Sequence, residues 1–357
     1  MREYLKKYEV IIKTKGPVYI GSGNNMSKKE YYFDEKSKRI YFFDFGKLFK
    51  GIIDKNLEKK YQEYMFNTKA SMDLAGFFEK NGVSIKDVKS WSNYSVDANN
   101  IYDMKSFNGK EINTFIKESG NRNYIPGSSL KGAIRTALIV DGIRTNYSGK
   151  NPKRNVDEIE SKILNTLARN RNNESDAVND IMSCIRVSDS EVIPNEYMIL
   201  CQRTDRNVYG EEYNLPIYYE CIKPGVTIKT SITIDSSMDK NINVERIKKA
   251  ISIYSNRLYE DFSKNFSNSE KYSKNTLVIG GYTGFPSKTI NYPLLGKEEG
   301  VKSIRERLNK AFNKHKHLKD IDNGISPRML KVAEYSSKEI SGVYEMGRVE
   351  IDFNEIK

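Results

Sequence analysis

The chain has 357 residues, of which 59 are Lys or Arg and 47 are Asp or Glu, for a formal net charge of +12 at pH 7. Hydrophobic residues make up 38% and charged residues 30%, with 24 Tyr and 15 Phe, enough apolar and aromatic surface to exclude disorder throughout and to build one or two cores. No stretch approaches the ~20 apolar residues of a membrane helix, no apolar segment follows the N-terminal charges, and Cys184, Cys201 and Cys221 form no C-x-x-C pair. A cytoplasmic chain without membrane contact, disulfide framework, structural zinc or other cofactor is therefore expected, with the three cysteines as reduced thiols in or near the core.

Residues 8–20 read as an opening strand interrupted by Gly16-Pro17, and Gly21-Ser22-Gly23 as a turn. Residues 31–45 predict a hairpin of two aromatic strands around a charged turn. From Lys47 to about Lys80 the apolar spacing becomes helical, with Leu48, Ile52, Leu57, Tyr61, Tyr64 and Met65 three to five apart. Residues 146–157 are polar and aperiodic and predict a surface loop. A mixed helical stretch leads to the strand-like run 185–193. Three further strands are predicted at 198–206, 215–222 and 226–234, the last two joined as a hairpin by the turn sequence Lys223-Pro224-Gly225. A helix follows over Asn243–Asn265, with Ile247, Ala250, Ile251, Tyr254, Leu258 and Phe262 on one face. A strand at 276–279, a glycine-rich loop, a basic helix and a last strand around Gly342–Ile351 complete the chain. Strands and helices are mixed without strict alternation, which predicts an α+β fold of two sheet-plus-helix domains rather than a doubly wound parallel sheet, with a boundary near residues 195–210.

The charge is unevenly placed. Between Gly296 and Lys319 eight basic residues stand against three acidic ones. Val301, Ile304, Leu308, Ala311, Phe312 and His315 share an apolar face there, leaving Arg307, Lys310 and Lys314 outward. His317 falls nearly opposite His315, so the pair cannot converge on one metal on a continuous helix.

Two segments carry the chemistry. In YIPGSSLKGAIRTALIV (124–140), Pro126 and Gly127 break the chain, Ser128 or Ser129 can cap a helix, and Leu130, Ile134, Ala137 and Leu138 supply a buried face. Lys131 and Arg135, four residues apart near the helix start, repel each other and oppose the helix dipole unless an anion sits against them, which points to phosphate. In TLVIGGYTGFPSKT (276–289), Gly280, Gly281 and Gly284 let backbone approach a ligand, Tyr282 and Phe285 can stack on bases, and Lys288 adds a cation. Neither the P-loop nor the dinucleotide glycine spacing is present, which disfavours a nucleotide triphosphatase.

IPGSSLKGAIRTAL resembles the signature of the RAMP superfamily of CRISPR-associated proteins. Together with the GG-x-TGF-x-SKT loop and ISPRMLK (325–331), the chain resembles in order and length the family of fifth subunits of the type III-A Csm interference complex. The resemblance implies two ferredoxin-like, RRM-related domains, here 1–200 with the signature helix and 201–357 with the glycine loop. It also implies assembly around a CRISPR RNA (crRNA) with other Csm subunits, chiefly the repeated backbone RAMP subunit. The family caps that backbone at the crRNA 3′ end and is linked to crRNA trimming through host ribonucleases. Carried over by position, Ser128, Ser129, Lys131, Arg135, Gly280, Gly281, Gly284 and Lys288 would lie along RNA, with Arg328 and Lys331 as further candidates and no catalytic residue. The alternative is a metal-independent endoribonuclease, with His315 or His317 as acid or base and Lys288 on the phosphorane. Asp189 could be proposed for cleavage by analogy with the filament subunit, although its strand-like setting favours a structural or capping role.

Overall fold

A computed structural model of the chain describes residues 4–67, 72–101, 111–147, 156–174, 176–312, 314, 317–318, 324–337 and 340–356. Two sheets dominate it. In the first, β1 (Leu5–Thr14) lies between β12 (Thr227–Asp235) and β16 (Arg348–Ile356), with β9 (Ile185–Val187) outside β12 and β13 (Thr276–Val278) outside β16. Every pairing in it is antiparallel. Alternate residues Tyr8, Val10 and Ile12 of β1 are buried, as the two-residue period of a strand with one face on a core requires.

That face is covered by helices. α5 (Gly127–Tyr147) packs along α7 (Val244–Asp261), and both touch sheet strands, α5 at β9 and both at β13. α5 buries Leu130, Ile134, Ala137 and Leu138 as their spacing predicts, and α7 buries Ile247, Ala250, Ile251, Tyr254 and Leu258. Each buried Leu or Ile among them contributes about 1.5–3 kcal/mol by leaving water. α6 (Val156–Leu164) and α8 (Asn291–Ala311) pack against α5 from other sides.

The second sheet runs β2 (Gly21–Met26), β6 (Ile112–Phe115), β11 (Glu212–Ile222), β10 (Met198–Arg206), β5 (Ser92–Asp97), β4 (Arg39–Phe43) and β3 (Tyr31–Asp34). The hairpin of β14 (Leu330–Ser336) and β15 (Ser341–Glu345) joins it at β10. Two pairings, β10 with β5 and β11 with β6, are parallel. A separate two-stranded ribbon is formed by β7 (Lys117–Glu118) and β8 (Arg122–Asn123). The helical stretch after β4 divides into α1 (Phe45–Asp54), α2 (Glu58–Phe66), α3 (Leu74–Lys80) and α4 (Ile85–Trp91). Asp44 and Asp73 cap α1 and α3, and Ser84 with Asp87 forms a capping box on α4. These helices bury Leu48, Ile52, Phe77, Phe78 and Trp91 against Tyr41 and Phe43 in a core of their own.

The fold is α+β, as expected, and the aromatic hairpin forms in register, Tyr31 opposite Phe42 and Phe33 opposite Ile40. Cys184, Cys201 and Cys221 are buried free thiols. Three expectations are corrected. The segment Gly21–Met26 is a strand rather than a turn, held at its ends by Phe115 and Ile112. The turn Lys223-Pro224-Gly225 does not close a hairpin: β11 belongs to the second sheet and β12 to the first, and the turn crosses between them. Thr14 fixes that crossing, its hydroxyl donating to the Lys223 carbonyl (2.8 Å) and accepting from the Val226 N–H (2.9 Å). Finally, the boundary expected at residue 200 separates no two sheets. β1 pairs with β12 and β16, and β5 and β6 pair with β10 and β11, so each sheet joins strands from both halves of the chain.

Candidate nucleic-acid interface

α5 starts where the chain leaves Pro126. The Gly127 N–H donates to Asp189 Oδ1 at 2.7 Å, so the helix is capped from a distant loop and not by its own serines. A Cβ on Gly127 would stand 2.3 Å from the Val187 carbonyl oxygen, so only glycine lets the helix start this close to β9. Ser128 and Ser129 are in the first turn, Ser128 exposed and Ser129 half-buried.

The glycine loop is shaped by the same chain. Gly280 has φ +80°, and a Cβ there would lie 2.1 Å from the Tyr19 carbonyl oxygen, which accepts the Gly281 N–H at 2.6 Å. The requirement for Gly280 and Gly281 is thus met by Tyr19 of this protein, not by a ligand. Tyr282 and Phe285 are engaged as well, which corrects the expectation that they stack on bases. Tyr282 stacks on Tyr219 (centroids 5.0 Å apart), lies under the Arg203 guanidinium (4.9 Å), and donates its hydroxyl to Asp205 Oδ1 (2.7 Å). Phe285 packs on the core beneath Arg307 (5.4 Å). The following turn, Pro286–Lys288, is tied down by the buried Tyr254 hydroxyl, which donates to the Ser287 carbonyl at 2.7 Å.

These two pieces, some 150 residues apart in sequence, form opposite walls of one cleft of 340 Å³. Ser128, Ser129, Gly132, Ala133 and Thr136 line it from α5, Ile20 and Gly21 from the start of β2, and Gly280, Gly281, Ser287 and Lys288 from the loop. Lys288 is exposed, and its ammonium has no hydrogen bond or ion pair among the described residues. The surrounding walls displace enough water to hold its ammonium below the ordinary lysine pKa. No His, Asp, Glu, Cys or Tyr lines the cleft among the described residues, and Lys288 is the titratable side chain in its lining.

Other predicted residues lie elsewhere. Lys131 and Arg135 are on the adjoining stripe of α5, outside the lining. The anion that balances Arg135 is internal: its Nη1 bonds Glu160 Oε2 of α6 at 2.9 Å. Lys331 is also satisfied within the chain, 2.7 Å from Asp205 Oδ2. Burial lowers its pKa against the pull of that carboxylate. Gly284 faces Lys331 and not the cleft, and half-buried Arg328 is not in the lining. Asp189 is the cap just described. On α8 the apolar face ends early: Val301, Ile304 and Leu308 are buried, whereas Ala311 and Phe312 are exposed. Lys302 pairs with Glu299 at 2.7 Å, so part of that basic surface is neutralised. His315 lies outside the described residues, and His317 is half-buried. Gly132 and Thr136 escaped sequence reasoning, although they follow Ser128 at intervals of four and form a stripe of small residues on the helix.

Residues 11–285 match the family model of the RAMP superfamily, a span that holds the signature helix and the glycine loop as far as Phe285. The chain belongs to the RAMP superfamily. This RAMP protein is 27% identical over 383 residues to the CRISPR system Cms protein Csm5 of Mycobacterium tuberculosis, covering 98% of each chain. It is also 27% identical over 380 residues to the protein of that name from Streptococcus thermophilus, covering 100% of this chain and 99% of the other. Among solved structures it is similar to a chain of the Csm–crRNA–target RNA ternary complex of a type III-A CRISPR-Cas system. The TM-score is 0.67 at 19% identity over 97% of this chain and all of the other, a likeness of fold. No helix of the described RAMP chain is long and apolar enough to cross a membrane.

Proposed function

We propose that this chain is the Csm5-type subunit of a type III-A CRISPR Csm complex, and that it binds crRNA in the cleft between α5 and the glycine loop without cutting it. Full-length likeness to proteins named Csm5 supports the assignment to that complex. The observation that carries the RNA reading is the convergence of two motifs from opposite halves of the chain on one cleft with the Lys288 ammonium in its lining. Two serine hydroxyls and Lys288 suit phosphate and ribose oxygens, which are the same for every sequence. A subunit that must accept any spacer needs that indifference.

On this reading β1, α5, β9, β12 and α7, in that order, form one ferredoxin-like unit, with β16 in the fourth strand position beside β1. The second sheet is its counterpart. The subunit caps the repeated backbone RAMP subunit at the crRNA 3′ end, and trimming falls to host ribonucleases. The test is incubation of the purified chain with labelled repeat-spacer RNA, with and without Mg²⁺. Tight, sequence-tolerant binding that leaves the RNA intact is expected. Cleavage abolished by His315→Ala or His317→Ala would overturn the non-catalytic reading.

A further inference from the structure

A second cleft, of 880 Å³, lies where the end of β1, the crossing turn Lys223–Gly225 and the β14–β15 hairpin meet. Its lining holds Lys13, Lys15 and Lys223 and no carboxylate among the described residues. Glu350, opposite Lys13 in the β1–β16 register, accepts from the Ser273 hydroxyl at 2.7 Å and pairs with Lys15 at 3.7 Å. Lys13 is exposed, and its ammonium has no ion pair or hydrogen bond among the described residues. Lys223 is positioned rather than neutralised. The Thr14 hydroxyl pins its turn, its Nζ bonds the Glu196 carbonyl at 3.2 Å, and it stands 5.1 Å from the Tyr197 ring centre. An ammonium has three protons to donate, so that single bond leaves capacity for an anion. Tyr197 and Tyr344 add aromatic surface to the wall.

The groove lies close to the first cleft along the chain. Residues 13–15 line the one and residues 20–21 the other, and the five steps from Lys15 to Ile20 bound that separation at roughly 18 Å of chain. The intervening segment is fixed to both sheets. Lys15 and Gly16 N–H groups donate to the Arg348 carbonyl, Pro17 accepts from Gly347, and Val18 exchanges both backbone bonds with Ile222.

We propose that this groove is a second contact for single-stranded RNA, taking the nucleotides next to those in the first cleft, with phosphates on Lys13, Lys15 and Lys223 and a base against Tyr197 or Tyr344. The proposal rests on the reading of the first cleft as an RNA site. The test measures anisotropy of labelled uridine oligonucleotides of about four and about twelve residues with the full chain. The short one reports the first cleft and the long one both. Combined Lys13→Ala and Lys223→Ala should weaken the long oligonucleotide several-fold and lower its salt slope by ~1.4, leaving the short one unchanged. Lys288→Ala should weaken both. Unchanged affinity and slope for the long oligonucleotide would overturn the groove assignment. So would unchanged RNA binding with loss of the variant from the Csm particle, which would make the surface a protein contact. An unchanged short oligonucleotide in Lys288→Ala would instead overturn the first cleft. If the double variant shifts the unfolding transition, Lys13→Glu at its exposed strand position replaces it with the same two outcomes.

Discussion

Lys288 of the glycine loop and Lys331 of β14 have opposite fates. Lys331 is spent on Asp205, which also accepts the Tyr282 hydroxyl, whereas Lys288 faces an open cleft. Lys331→Ala leaves Asp205 only Arg203, at 3.7 Å, as a cation and should cost about 1.5–3 kcal/mol, read as a lower denaturant midpoint. Gly280→Ala should destabilise by at least ~2 kcal/mol, because it adds left-handed strain to a collision with the Tyr19 carbonyl; a thermal transition equal to wild type would contradict this. Residue types were legible in the sequence and residue partners were not. Asp205 lies 126 positions from Lys331, and nothing local marks it as the partner. Composition likewise marked the glycines as special, but only the fold identifies Tyr19 as the backbone they admit.

At the scale of elements, the apolar periodicity of α5 and α7 located both helices and their buried faces, because a helix on a core must repeat every three to four residues. Their ends were less legible. The cap of α5 comes from Asp189, 62 residues on, while the local serines that suit the role fall inside the first turn. Asp189→Ala should therefore cost about 1 kcal/mol of stability, with Asp189→Asn restoring it and RNA binding unchanged by either. A change in RNA cleavage with no change in stability would make Asp189 a cleavage residue instead. The turn Lys223–Gly225 was misread for a related reason. Its sequence specifies a reversal, but the partner strand is chosen by the buried hydroxyl of Thr14, at the other end of the chain.

For the whole molecule, the α+β class followed from the mixture of strand and helix patterns, while the topology did not, since strand order depends on pairings between distant segments. With β1 between β12 and β16, the ends of the chain close the first sheet together. Fragments 1–200 and 201–357 expressed separately should therefore each fail to give a cooperative unfolding transition, and mixing them should restore one; an independently folded fragment would contradict the topology. The net charge of +12 is likewise redistributed by the fold. Arg135 and Lys331 are consumed internally, whereas the Lys288 and Lys13 ammoniums, each in the lining of a cleft, have no ion pair among the described residues. The most direct measurement of the central claim compares the salt dependence of RNA binding in Lys288→Ala and Lys331→Ala. Lys288→Ala should keep wild-type stability, bind RNA several-fold more weakly and lose ~0.7 from the slope. Lys331→Ala should keep the wild-type slope while losing stability. A wild-type slope in Lys288→Ala would contradict the assignment of the cleft to RNA.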